Sequence, residues 1–220
     1  MSLTPYRCNP ARPHGFTLLE MAIVLAIVAL LLGGLLPVIS GQIDQQRRND
    51  TRKYLDEVRD ALLGYAISTA NKHLPCPDSN GDGTAEAACT TTAQQVGTLP
   101  YKDLGVAEKD AYGNVLVYAV TKDFADSTTH FTLGTAGAAN TMRVCTTAAC
   151  TANLTATAAA VIVSRGANWA STPSADEAEN TDGDTDFVSH DYVQNGFDDM
   201  VIWVSPNILF NRMVTAGQLP

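Results

Sequence analysis

Asp78-Ser79-Asn80-Gly81-Asp82-Gly83-Thr84-Ala85-Glu86 places side-chain oxygens at alternate positions, with a glycine at the sixth. That is the front half of a D-x-[DN]-x-[DN]-G calcium loop, in which alternate oxygens converge on a hard cation and the glycine permits a sharp turn. Asp78, Asn80, Asp82 and Thr84 are the candidate ligands. The bidentate glutamate expected at position twelve is replaced by Cys89, so Glu86 or a group from elsewhere would complete the shell. The same residue types also make an Asx- and Gly-rich solvated turn, with no metal needed. Asp182-Gly183-Asp184-Thr185-Asp186 repeats the alternation, with Asp176, Glu177, Glu179 and Asp191 nearby. This run reads as a second cation site or as a solvated acidic face.

Catalytic constellations are sparse. His73, His130 and His190 stand in no H-E-x-x-H or similar spacing. Ser164-Arg165-Gly166 follows an apolar run, but the G-x-S-x-G of a nucleophile elbow is absent, so it reads as a strand-to-loop turn. Asp198 and Asp199 are adjacent, and in an extended segment they would point to opposite faces. Neither a phosphate-binding G-x-x-x-x-G-K-[ST] nor a G-x-G-x-x-G is present. The chain is therefore not expected to be an enzyme.

The elements that position these groups begin with an apolar run. Met21 to Ile43 is 23 consecutive uncharged residues, long enough as a helix to span a bilayer. Arg7, Arg12 and His14 precede it without any acid, a bias that keeps the N-terminus cytoplasmic and sends the remainder outward. Glu20 sits at the mouth of this run, where an unpaired carboxylate is costly. A cleaved secretory signal fits less well, because the run is long and no A-x-A site follows.

Gly15-Phe16-Thr17-Leu18-Leu19-Glu20, followed at once by the apolar helix, resembles the type IV prepilin cleavage and methylation signature, with Pro37 at the twenty-second position after the cut. The resemblance covers about residues 7–72. It implies that a membrane prepilin peptidase cuts after Gly15 and N-methylates Phe16, with Glu20 as the fifth mature residue. The new ammonium and the Glu20 carboxylate would then form a charge pair, within one helix or between staggered subunits. Because a charge left unpaired in low dielectric costs several kcal/mol, Glu20 is expected to set the register of stacked helices. Gly33, Gly34 and Pro37 make the weakest stretch of the helix, a kink at which the resemblance implies local unwinding during assembly.

Residues 43–72 continue with apolar positions at three- and four-residue steps and charged faces between them. One helix from Phe16 to about Asn71 is expected, roughly 84 Å at standard rise. Leu74-Pro75 ends it. Candidate strands follow at Val115–Thr121, Phe131–Leu133, Met142–Cys145, Ala158–Val163 and Val201–Val204, with a short helix at Asn207–Thr215. The Thr/Ala-rich residues 146–160 read as a surface excursion. The fold class is α+β: a long N-terminal helix on a small antiparallel sheet, as in the pilin fold.

Of five cysteines, Cys8 lies in the leader that the resemblance implies, leaving Cys76, Cys89, Cys145 and Cys150. An even four on the oxidising outer side of the membrane suggests two disulfides, with three pairings open. Local pairing, Cys76 with Cys89 and Cys145 with Cys150, is preferred because it pins the two least structured stretches. Zinc is disfavoured, since neither pair has C-x2-C spacing.

The 220-residue chain has a formal net charge of -9. Residues 166–211 hold nine acids and no Lys or Arg. This opposes a nucleic-acid partner, which needs a basic footprint. The expected organisation is a removed leader at 1–15, a helix at 16–72 with its membrane stem at 16–42, and a periplasmic head at 73–220. The expected function is that of a structural subunit, a minor pilin or a type II secretion pseudopilin. Its partners would be other pilins or pseudopilins, prepilin peptidase and the inner-membrane assembly platform. It would pass once through the inner membrane before entering a surface filament or periplasmic pseudopilus. Calcium is the one cofactor the sequence suggests, and the DAYGN turn at 110–114 with Tyr118 resembles the major pseudopilin head. A membrane-anchored periplasmic enzyme or a calcium-dependent binding module is the alternative.

Overall fold

The computed structural model describes residues 15–68, 72–129, 131–135, 141–193 and 196–219, with the side chains of 33–40 outside the description. The chain divides into one unit ending at Gln45 and a second beginning at Gln46. Helix α1, Leu18–Ser68, runs without a break through Gly33, Gly34 and Pro37. In the first unit its described apolar side chains are exposed, Leu18 to 92% and Leu30 to 78%. Among the described residues no helix is long and apolar enough to cross a membrane.

In the second unit α1 becomes amphipathic. Leu55, Val58, Leu62, Leu63 and Ala66 are buried, the three- and four-residue spacing of one face. The opposite face carries Arg59 paired with Asp56 at 2.9 Å and Lys53 with Asp50 at 3.4 Å. Residues 69–71, where the helix was expected to end, lie outside the described residues.

The apolar face of α1 packs on a four-stranded sheet of β1 (Val96–Thr98), β2 (Val117–Val120), β5 (Ala160–Ser164) and β7 (Met200–Val204), in that order and antiparallel throughout. Tyr118, Val120, Ile162 and Val204 join Leu55, Val58 and Leu62 in one core, closed by Leu209 and Met213 of α5 (Pro206–Thr215). Ser205 caps α5 by accepting from the Ile208 amide at 3.3 Å, with Pro206 at the first helical position, where its missing N–H costs nothing.

The other sheet face is also covered. Ala119, Val161 and Val163 pack against Met142, Val144, Ala158 and Phe187. These come from a second sheet of β4 (Asn153–Ala158), β3 (Met142–Cys145) and β6 (Asp186–Val188). Strand β5 is therefore buried on both faces, which is why Ala160-Val161-Ile162-Val163 reads as a continuous apolar run rather than an alternation.

Several short helical or strand pieces escaped sequence reading, among them β1, β6, α2 (Tyr101–Leu104), α3 (Lys122–Ala125) and α4 (Ala175–Glu179). The head also holds two sheets rather than one, and β6 pairs parallel with β3. The single strand expected at Ala158–Val163 is a corner: Ala158 ends β4 in one sheet and Ala160 begins β5 in the other. Much of the expected 146–160 excursion is thus strand, its polar Thr residues lying on an exposed edge. Phe131–Leu133 is not a strand. Phe131 is buried beside Phe124, with ring centroids 5.6 Å apart, and the Thr135 amide closes a turn on the Thr132 carbonyl at 2.9 Å.

Candidate functional site

Gly15 and Phe16 lie outside the helix and are exposed, Phe16 to 80%. Thr17 then caps α1 from the position before it. Its hydroxyl accepts from the Glu20 amide at 3.2 Å, and the Glu20 carboxylate accepts from the Thr17 amide at 3.3 Å and hydroxyl at 3.4 Å. This reciprocal pairing, S/T-x-x-E, satisfies two orphan donors of the first turn. It holds the carboxylate against the positive end of the helix. Thr17 is a positioning residue that the motif contained but sequence reading passed over. Pro37 falls within α1, its side chain outside the description, and Cys8 lies outside the described residues.

Cys76 bonds to Cys89 and Cys145 to Cys150, with Cα separations of 5.7 and 5.1 Å. The first bridge encloses the 78–86 loop, which is organised by its own amides. One oxygen of buried Asp78 accepts from the Asn80 and Gly81 amides at 3.1 and 2.7 Å, and the other from Gly83 at 2.7 Å. Asn80 accepts from the Asp82 amide at 2.9 Å, and Asp82 from the Thr84 amide and hydroxyl at 2.8 and 2.6 Å. These donors hold the Asp82 carboxyl below its ordinary range. Glu86 accepts from the Ser79 hydroxyl at 2.7 Å and from Asn80 at 3.1 Å. Gly83 has a φ of +83°, and a Cβ there would lie 2.5 Å from the Tyr101 ring, so only glycine fits. Among the described residues, Asp78, Asp82 and Glu86 do not form a group whose oxygens converge within 4.8 Å. A calcium ion would require Asp82 and Glu86 to turn inward.

The turn at 110–114 anchors β5. Asp110 accepts from the Tyr112 and Asn114 amides, each at 2.9 Å, and from the Ser164 hydroxyl at 2.6 Å. Asn114 donates to the Gly166 carbonyl at 2.7 Å. Ser164-Arg165-Gly166 is thereby the end of a strand held by a buried aspartate. Tyr118 donates to the Pro75 carbonyl at 3.0 Å.

Acidic residues gather at two places. Glu177 of α4 (Ala175–Glu179), Asp198 and Asp199 bring carboxylate oxygens within 4.8 Å of one another. The sequence argument against a shared site for Asp198 and Asp199 is corrected here: these residues precede β7 in irregular backbone, so the strict side-to-side alternation of a strand does not apply. Burial opposes the ionised form of Glu177, but bonds from the Ser174 amide (2.7 Å), Asn168 (2.9 Å) and the Asp198 amide (3.1 Å) outweigh it and lower its pKa. Burial raises Asp198, against the Ala167 and Asn168 amides that bind it at 2.7 and 3.1 Å. Asp199 is pushed up to about 7, first by burial and then by the charges of Glu177 and Asp198, despite the Asn180 amide donated at 2.8 Å. Gly166, at φ +59°, admits the Asp198 carboxylate at a distance a Cβ would block.

The second group is Glu179, Asp184 and Asp186. Burial and the neighbouring carboxylates raise both Glu179 and Asp184, while Asp186 is bridged to Arg143 of β3. Asp184 and Asp186 of the weaker repeat thus converge with Glu179, and Arg143 holds Asp186.

The family model of the prokaryotic N-terminal methylation motif matches residues 11–36. That motif is the signature of prepilin-type signals in type IV pilins and pseudopilins. No curated protein and no solved structure matches the chain.

Proposed function

We propose that this chain is a pilin-like structural subunit, cut by prepilin peptidase after Gly15, N-methylated on Phe16 and assembled into a filament through its N-terminal helix. The observation that carries the reading is the conjunction at residues 15–32. An exposed Gly15–Phe16 bond precedes a helix with Glu20 in its first turn, and a run of apolar side chains stays exposed among the described residues. Unpaired apolar surface of this extent marks a site of membrane or protein association. The precursor passes once through the inner membrane with residues 73–220 in the periplasm. Its partners are other pilins or pseudopilins, the peptidase and the assembly platform.

Cleavage at Gly15 would put an ammonium at Phe16. In the assembled state Glu20 exchanges its Thr17 donors for that charge on a neighbouring copy, because two staggered stems leave each charge without water. The test is mass analysis of the protein from cells with and without prepilin peptidase. A mature chain starting at N-methyl-Phe16 is expected, and retention of Met1 in the peptidase-positive strain overturns the proposal. Glu20→Ala is expected to insert in the membrane yet fail to enter filaments; normal incorporation would remove the register role.

The role is that of a minor pilin or of a type II secretion pseudopilin. The resemblance of the Asp110–Asn114 turn to that of the major pseudopilin head favours the second. Co-purification with a pilus or with a secretion pseudopilus separates them. Calcium at the 78–86 loop belongs to the same proposal: millimolar calcium should raise the melting midpoint and a chelator lower it, whereas no shift leaves the loop a solvated turn.

A further inference from the structure

A cavity of about 340 Å³ lies between α1 and β7. Arg48 and Arg52 of α1 stand on its lining with Asp198 and Asp199, and Leu55, Met200 and Ile202 supply apolar surface. Three consecutive residues of β7, Met200, Val201 and Ile202, line it. Successive strand side chains point to opposite faces, so the cavity reaches the strand's edge, and β7 is the terminal strand of its sheet.

The charged groups on its lining are held in place. The Arg48 guanidinium sits over the Tyr192 ring, 3.9 Å from its centroid, and its buried Nε has no acceptor among the described residues. Asp198 is fixed through Oδ2 by the Ala167 and Asn168 amides, while its buried Oδ1 has no donor among them. The charge of Arg48 acts on Asp198, yet the two form no ion pair among the described residues. His190 is engaged elsewhere, with Asp176 at 3.2 Å. Both of these atoms are sealed from solvent, Asp198 Oδ1 against Gly166; the two side chains line the cavity through their other atoms.

A lone anion would meet Asp198, Asp199 and the lining residues Asp56 and Asp191. A lone cation would meet the two arginines. Only a ligand carrying both charges is matched by both, and the apolar surface suits a hydrocarbon body. We propose that this cavity binds a small zwitterion of amino-acid or dipeptide size, its carboxylate at Arg48 and Arg52, its ammonium at Asp198 and Asp199, and its apolar body over Leu55, Met200 and Ile202.

The planar guanidinium of Arg48, oriented by Tyr192, is suited to take a carboxylate through two parallel N–H groups. The experiment is calorimetric titration of the full chain in detergent micelles with L-leucine and leucylglycine. Isocaproate and isoamylamine, each carrying one of the two charges, serve as controls at matched ionic strength. At least one zwitterion should bind with a Kd at or below about 1 mM, and both controls at least tenfold more weakly. Arg52→Gln, at an exposed position, should weaken binding about tenfold with an unchanged melting midpoint, and Arg48→Gln should weaken it further. The proposal is overturned by equal binding of the amine alone, by no heat from either zwitterion, or by affinities unchanged in both variants.

Discussion

Asp199 shows how burial turns an ordinary side chain into a titrating group near neutral pH. Its pKa of about 7 stands against roughly 3.9 for an unfolded aspartate. The folded state therefore holds its proton more tightly, and the stability this contributes is complete below about pH 4 and lost as pH rises through about 7. Burial raises Asp198 as well, in the same sense. The lowered Glu177 acts oppositely, its contribution present above its unfolded pKa and lost as pH falls. Asp199→Asn can still accept from Asn180 and carries no charge. Thermal melts from pH 5 to 8 should show the wild type losing stability across this window and the variant losing much less; parallel curves would refute the assignment. Asp198 and Asp199 were visible in the sequence as a pair, but their convergence with Glu177 was not, because it depends on irregular backbone just before β7.

At the scale of elements, the Cys76–Cys89 bridge closes the loop that carries the Asx turns. A 14-residue loop is worth about 3 kcal/mol in the chain-entropy account of disulfides. Cys76→Ser with Cys89→Ser is expected to destabilise the head by about that amount, read from the urea midpoint of the full chain in micelles. No change would mean that the 78–86 hydrogen bonds and Gly83 against Tyr101 hold the loop unaided. Strands β2, β3 and β7 and helix α5 lie where alternation and turn residues placed them. The three-residue strands β1 and β6 are too short to carry a period, and β6 finds its place only by pairing with β3, more than 40 residues earlier. The corner at Ala158–Ala160 was illegible for a different reason: an apolar run does not reveal that its two ends belong to different sheets.

For the whole molecule, the acid excess opposes partners that need a basic footprint. The cleavage after Gly15 proposed above would remove Arg7 and Arg12 and no acid, leaving 12 basic and 23 acidic residues, a net charge of -11. Binding to nucleic acid draws on counterion release by cations. The mature protein is expected to show no retention of duplex DNA in gel shift even at about 50 mM salt, and salt-sensitive retention would contradict the electrostatic argument. The same polarity bears on assembly. The acids cluster in the 176–199 region, while the 43–72 stretch of the helix has six basic and five acidic residues.

The sequence by itself determined the processing signature, the apolar run and the amphipathic helix, because each is written in neighbouring residues and a local period. It also carried the Thr17–Glu20 cap, whose partners are three residues apart. Tertiary structure alone decided that the head has two sheets with a parallel pair, and that α4 and the segment before β7 crowd three carboxylates together. It alone set the two arginines of α1 beside the acids of that segment. Those arrangements join residues distant in the chain, and their energies arise from shared burial, which no local pattern encodes.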